Sequence, residues 1–155
     1  MRNAFLLCLL GMSSLLAQAG TNCRPVGGTL STNFLDSSTT LGSATGDLAG
    51  GLGVTVLSLV QNSNGTVTFH NHHHWVTITG DTINLKDAYA TAYPTGVPGI
   101  FAANYDHGVE VSGGTGKFAH ATGNVKSWGA VNLITNEVVL RYEGTVCFAE
   151  RDADW

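Results

Sequence analysis

From Val26 onward the chain alternates apolar and polar residues in short runs cut by turn residues. VGGTLSTNFL puts Val26, Leu30 and Phe34 on one side, and IFAANYDHGVEV does the same with Phe101, Tyr105, Val109 and Val111. A period of two is the signature of a strand with one buried face. Between the runs lie QNSNG (61–65), TGD (79–81), PTGVPG (94–99), SGGTG (112–116) and ITNE (134–137), all rich in turn-forming residues. No stretch shows convincing helical spacing, and the 20 glycines and abundant Thr and Val fit strands joined by tight turns. Eight such runs at short, even intervals predict an all-β domain. Eight antiparallel strands can close into a barrel, which removes both exposed edges. A barrel of that size has room for its own side chains or one small ligand. A β-sandwich is the alternative arrangement.

The N-terminus reads MRNAFLLCLLGMSSLLAQAG, with Arg2 ahead of an apolar run and Ala17-Gln18-Ala19 after it. This is the layout of a secretory signal peptide over residues 1–19. The run is shorter than the roughly 20 apolar residues a membrane span needs, so no membrane association is expected after cleavage. The remainder is a single domain over residues 20–149, with a polar C-terminal tail over residues 150–155. Cleavage removes Cys8 and leaves Cys23 and Cys147, one near each end of the domain. An even pair in an exported chain predicts a disulfide, here tying the first strand to the last. The expected location is secreted or periplasmic. Without Arg2 the chain has 6 basic and 11 acidic side chains, a net charge of −5. That balance excludes a nucleic-acid partner, which needs a basic patch.

The segment EVSGGTGKFAHATGNV, Glu110 to Val125, carries a glycine turn (Gly113, Gly114, Thr115, Gly116), then Lys117, Phe118, Ala121 and Gly123. Glycines permit a tight turn with positive φ, and small residues let strands approach. This pattern resembles the dirigent proteins and the allene oxide cyclase barrels. With GTLSTNF near the start and YEGTVCF near the end, the chain resembles secreted bacterial members of that superfamily. The resemblance implies an eight-stranded antiparallel barrel with a central cavity. It also implies a possible cyclase or isomerase activity, or a guide for coupling reactive lipid or phenolic intermediates. Fold resemblance alone does not assign a reaction.

FHNHHHW, Phe69 to Trp75, holds four of the six histidines. On a strand His70, His72 and His74 share one face, and Asn71, His73 and Trp75 the other. Val67 and Phe69 are apolar on the odd side, Val76 and Ile78 on the even side. A bulge between Phe69 and Val76 is therefore expected, and which histidines face inward stays open. No metal is expected here: a structural zinc normally takes four ligands, and the first and third histidines of the row stand some 13 Å apart at strand rise. No other cofactor is expected.

Asp87 falls on the parity of Ile83, Leu85, Tyr89 and Tyr93, so it reads either as a carboxylate on an apolar face, a kind of group that often marks a site, or as an exposed residue on a locally twisted edge. Tyr105 and His107 share the parity of Phe101 and Val109 and are expected to line the same interior. The candidate acid–base residues are Asp87, His107 and His72. The candidate ligand contacts are Tyr89, Tyr105, His70, His74 and Phe118. The expected function is an exported barrel holding a small apolar or phenolic molecule. A cofactor-independent cyclase or isomerase is the alternative.

Overall fold

A computed structural model describes residues 21–149. The expected signal peptide over residues 1–19 and the tail over residues 150–155 lie outside the described residues. Ten antiparallel segments follow in order: β1 (Thr21–Phe34), β2 (Thr39–Ala44), β3 (Gly50–Gln61), β4 (Val67–Thr77), β5 (Thr82–Leu85), β6 (Ala88–Pro94), β7 (Ile100–Asn104), β8 (Val109–Gly114), β9 (Thr122–Asn132) and β10 (Glu137–Ala149). They occupy eight wall positions. β5 and β6 lie end to end against β4, with Ile83 opposite Trp75 and Tyr89 opposite His70. β7 and β8 lie end to end against β9 in the same way. β10 returns to β1, paired from Thr21–Ala149 to Asn33–Glu137, and this ladder closes the barrel. Cys23 faces Cys147 within the ladder and the two form a disulfide. The eight-stranded barrel, rather than the sandwich, is the architecture.

Three local expectations are corrected. The run FHNHHHWVT carries no bulge: Asn71, His73, Trp75 and Thr77 are all buried, while Val76 and Ile78 point outward at 46% and 81% exposure. The irregularity sits in the facing strand instead, where Leu57 of β3 is skipped between Val56 and Ser58. The second correction is at Lys86-Asp87, where the wall strand breaks between β5 and β6. Ile83 and Leu85 point inward before the break, and Ala88, Ala90 and Ala92 after it. The inward parity has switched, so Asp87 and Tyr89 are outside. Third, the strand expected from Lys117 begins only at Thr122. Gly116–Phe118 form a 3₁₀ turn that inserts Phe118 into the core at 1% exposure. Gly123 does have the expected role: at φ +158 it lies against the Thr145 carbonyl, where a Cβ would clash with the backbone.

The barrel's two ends differ. At one, the loop between β2 and β3 folds inward as a floor. Trp75 Nε1 donates to the Leu48 carbonyl (2.8 Å), Leu48 N–H donates to Tyr142 Oη (3.0 Å), and Tyr142 Oη donates to the Thr45 carbonyl (2.9 Å). Leu48 is thereby held buried under the strands, and Phe118 packs near Phe148 with ring centroids 5.5 Å apart. At the other end lie four loops, residues 35–38, 62–66, 95–99 and 133–136, and residues of the first and last of them line an opening.

Two measurements check this account. The Cys23–Cys147 cross-link encloses a sequence separation of 124, so reduction is expected to lower stability by up to about 5 kcal/mol on the chain-entropy account, read from urea unfolding with and without reductant. Tyr142→Phe leaves the Leu48 N–H without its buried acceptor and is expected to cost about 1–3 kcal/mol in the same assay, with an unchanged β-sheet circular dichroism spectrum.

Candidate binding cavity

Inside the barrel the inward residues of β6, β7 and β9 are small. Ala90 of β6, Ala103 of β7 and Ser127 of β9 line, together with larger residues such as Leu52 and Leu140, a space that they do not fill. The result is an interior cavity of about 100 Å³. Beyond it, at the open end, lies a wider, solvent-open chamber of about 580 Å³ lined by Leu35, Leu59, Val67, Phe101 and Leu133, whose three leucines are half or more exposed. Phe34, Phe69 and Val131 line both spaces and form the collar between them.

One hydrogen-bonded polar cluster interrupts the largely apolar wall. The odd parity of β4 carries Asn71 and His73 inward, and Tyr105 reaches them from the end of β7. Asn71 Nδ2 donates to Tyr105 Oη at 2.9 Å. His73 Nε2 lies 2.8 Å from the same oxygen. All three side chains are buried. Asn71 Oδ1 and His73 Nδ1 have no hydrogen-bond partner. A buried polar atom without a partner is costly, and each one asks for a reason. Burial pushes the His73 imidazole down to about 4, with the neighbouring His72 adding to the effect and the Asp87 carboxylate opposing it. Burial also pushes the Tyr105 hydroxyl up to about 12. At neutral pH the cluster is therefore uncharged. It presents an amide, a neutral imidazole and a protonated phenol.

The remaining candidates sit elsewhere. His70, His72 and His74 share a face, as the strand period requires, and it is the outer one. There His70 stacks on Tyr89 with centroids 4.4 Å apart, and His72 Nδ1 lies 2.6 Å from Asp87 Oδ1. The His72 hydrogen bond, first among the causes, holds the Asp87 carboxyl below its usual range. Asp87 and His72 thus do meet, but outside the barrel, with side chains 42% and 41% exposed. His107 is exposed on the turn between β7 and β8, where Gly108 at φ +71 reverses the chain. That turn is why His107 leaves the interior that Tyr105 and Val109 share. Phe118 is in the core near the closed end and does not line the cavity. Of the sequence candidates only Tyr105 lines the interior. Asn71 and His73 were missed as candidates. The odd parity shared by Val67, Phe69 and Trp75 was the signal that could have found them, and apolar but outward Val76 and Ile78 obscured it. Among the described residues no three His, Cys, Asp or Glu side chains are grouped to hold a metal ion.

Neither a protein-family model nor a curated protein matches the chain. Among solved structures it is similar to the pterocarpan synthase dirigent protein GePTS1, with 12% sequence identity and a TM-score of 0.36, over 95% of this chain and 100% of that one. No residue role is transferred from a likeness of that degree.

The buried imidazole makes a pH prediction. His73 titrates near its ordinary 6.5 when unfolded and near 4 when folded. Between those values the unfolded chain binds the extra proton, so stability falls as pH drops from about 6.5 toward 4 and is fully present above that window. The loss is expected to be at most about 3 kcal/mol. Thermal unfolding of wild type and His73→Leu across that window should show the wild-type melting temperature falling more steeply.

Proposed function

We propose that this chain is an exported β-barrel that holds a small, partly apolar molecule in its interior. The observation that carries the reading is the unfilled cavity with one hydrogen-bonded polar cluster, Asn71, His73 and Tyr105, set in a largely apolar wall. Ligand sites are commonly apolar spaces with a few convergent polar groups, and the mouths of β-barrels are among their usual places. Export is supported by the signal-peptide pattern and by the Cys23–Cys147 disulfide, which suits an oxidising compartment.

A cyclase or isomerase reading draws on the same cluster, since Tyr105 Oη could donate a hydrogen bond to a bound intermediate. Proton transfer is most effective when the catalytic pKa lies near the operating pH. Values of about 4 for His73 and about 12 for Tyr105 lie far on either side of neutrality. The Asp87–His72 pair stands outside the cavity. These features favour binding over acid–base chemistry.

Native mass spectrometry of the protein purified from its source is expected to show a retained small molecule, released on denaturation. Ala90 lines the cavity and is buried. Ala90→Phe is expected to abolish retention at an overpacking cost of about 1–3 kcal/mol, with the sheet spectrum preserved. An apo mass under gentle ionisation, together with no binding from a panel of apolar fluorophores, would count against the reading.

A further inference from the structure

The interior has no ionic partner to offer. Among the described residues no Asp, Glu, Lys or Arg lines the inner cavity. Among the described residues the outer chamber adds a single charged side chain, Asp36, whose sign repels an anion. The polar groups inside are the Asn71 amide, the His73 imidazole, the Tyr105 phenol and the hydroxyls of Thr32, Thr40 and Ser127. Asn71 Oδ1 and His73 Nδ1 are left unpaired. An ionised carboxylate entering this space would surrender its water and meet no counter-charge, a steep penalty. An uncharged hydroxyl or carbonyl loses far less and can pair with what is there.

Size adds a second condition. An apolar cavity of about 150 Å³ holds one benzene-sized molecule. The inner space, at about 100 Å³, takes only one end of anything larger. The rest must lie beyond Phe34, Phe69 and Val131, in the chamber of about 580 Å³.

We infer that the barrel selects an uncharged, elongated amphipath over a carboxylate of the same length. Its hydrogen-bonding end enters the inner cavity beside Asn71, Tyr105 and His73, and its apolar body passes the collar into the outer chamber. The inference rests on the interior being the binding site, and the experiment separates the two. Octanol and octanoate are titrated into the disulfide-intact protein at about pH 7.5, where the acid is fully ionised, followed by calorimetry and by the fluorescence of Trp75, which lines the cavity. Octanol is expected to bind at least about tenfold more tightly than octanoate. Asn71→Leu is expected to weaken octanol by about three- to tenfold. Tyr105→Phe, which removes the shared hydroxyl, serves as the second variant if the first does not fold. Equal affinity for the two ligands would overturn the selectivity while leaving the cavity as a binding site. Binding of neither would overturn both. Undiminished octanol affinity in a folded variant would overturn the inward placement of the polar end.

Discussion

The ladder between β1 and β10 is the contact on which the rest depends. These are the first and last strands, so their pairing is the most non-local in the chain and the most expensive in loop-closure entropy. Once formed, it turns an open sheet with two edges into a closed wall with an inside and an outside. The Cys23–Cys147 disulfide lies within that ladder and lowers the entropy of the unfolded chain at the point where closure costs most. Every later feature of the molecule follows from which residues the closed wall sends inward.

Closure fixes the circumference, so the sizes of the inward side chains decide what is filled. Near the closed end Leu48, Trp75, Tyr142 and Phe118 belong to one buried core cluster, and the Tyr142 and Trp75 hydrogen bonds anchor the floor loop. Nearer the open end Ala90, Ala103 and Ser127 are too small to cross the gap. A cavity results from the same wall geometry. An apolar space alone would be a simple packing defect, with its energetic cost. The polar cluster on its wall adds a second cost. Asn71, His73 and Tyr105 are buried with two polar atoms unpaired. The outward histidines pose no such problem. His70 is stacked on Tyr89, His72 is paired with Asp87 and His74 is exposed, and exposed pairs of this kind add little stability.

Much of the architecture was legible in the alternation. The eight runs of the sequence correspond to the eight wall positions, and the turn residues fall at the hairpins. What could not be read was where the alternation changes phase. Ile83 and Leu85 point inward, yet Asp87, of the same parity, points out because the strand breaks beside it. His107 shares the parity of Tyr105 and Val109, yet the turn at Asp106–Gly108 carries it outside. Phe118 looked like a strand residue, yet a 3₁₀ turn places it in the core. Each miss has the same origin. Parity persists only within one unbroken ladder, and a single inserted residue reverses every side chain after it.

The sequence by itself determined the class of fold, the number of wall strands and the pairing of the two domain cysteines. These depend on local periodicity, turn chemistry and counting, all of which are written in order along the chain. Only the tertiary structure decided which face of FHNHHHW is the interior. Both faces of that strand carry polar and apolar residues, so local hydrophobicity does not choose between them. The choice is made by the barrel as a whole: Trp75 must reach the Leu48 carbonyl at the floor and Phe69 must join the collar. Those two demands turn Asn71 and His73 toward Tyr105 and leave His70, His72 and His74 to the solvent.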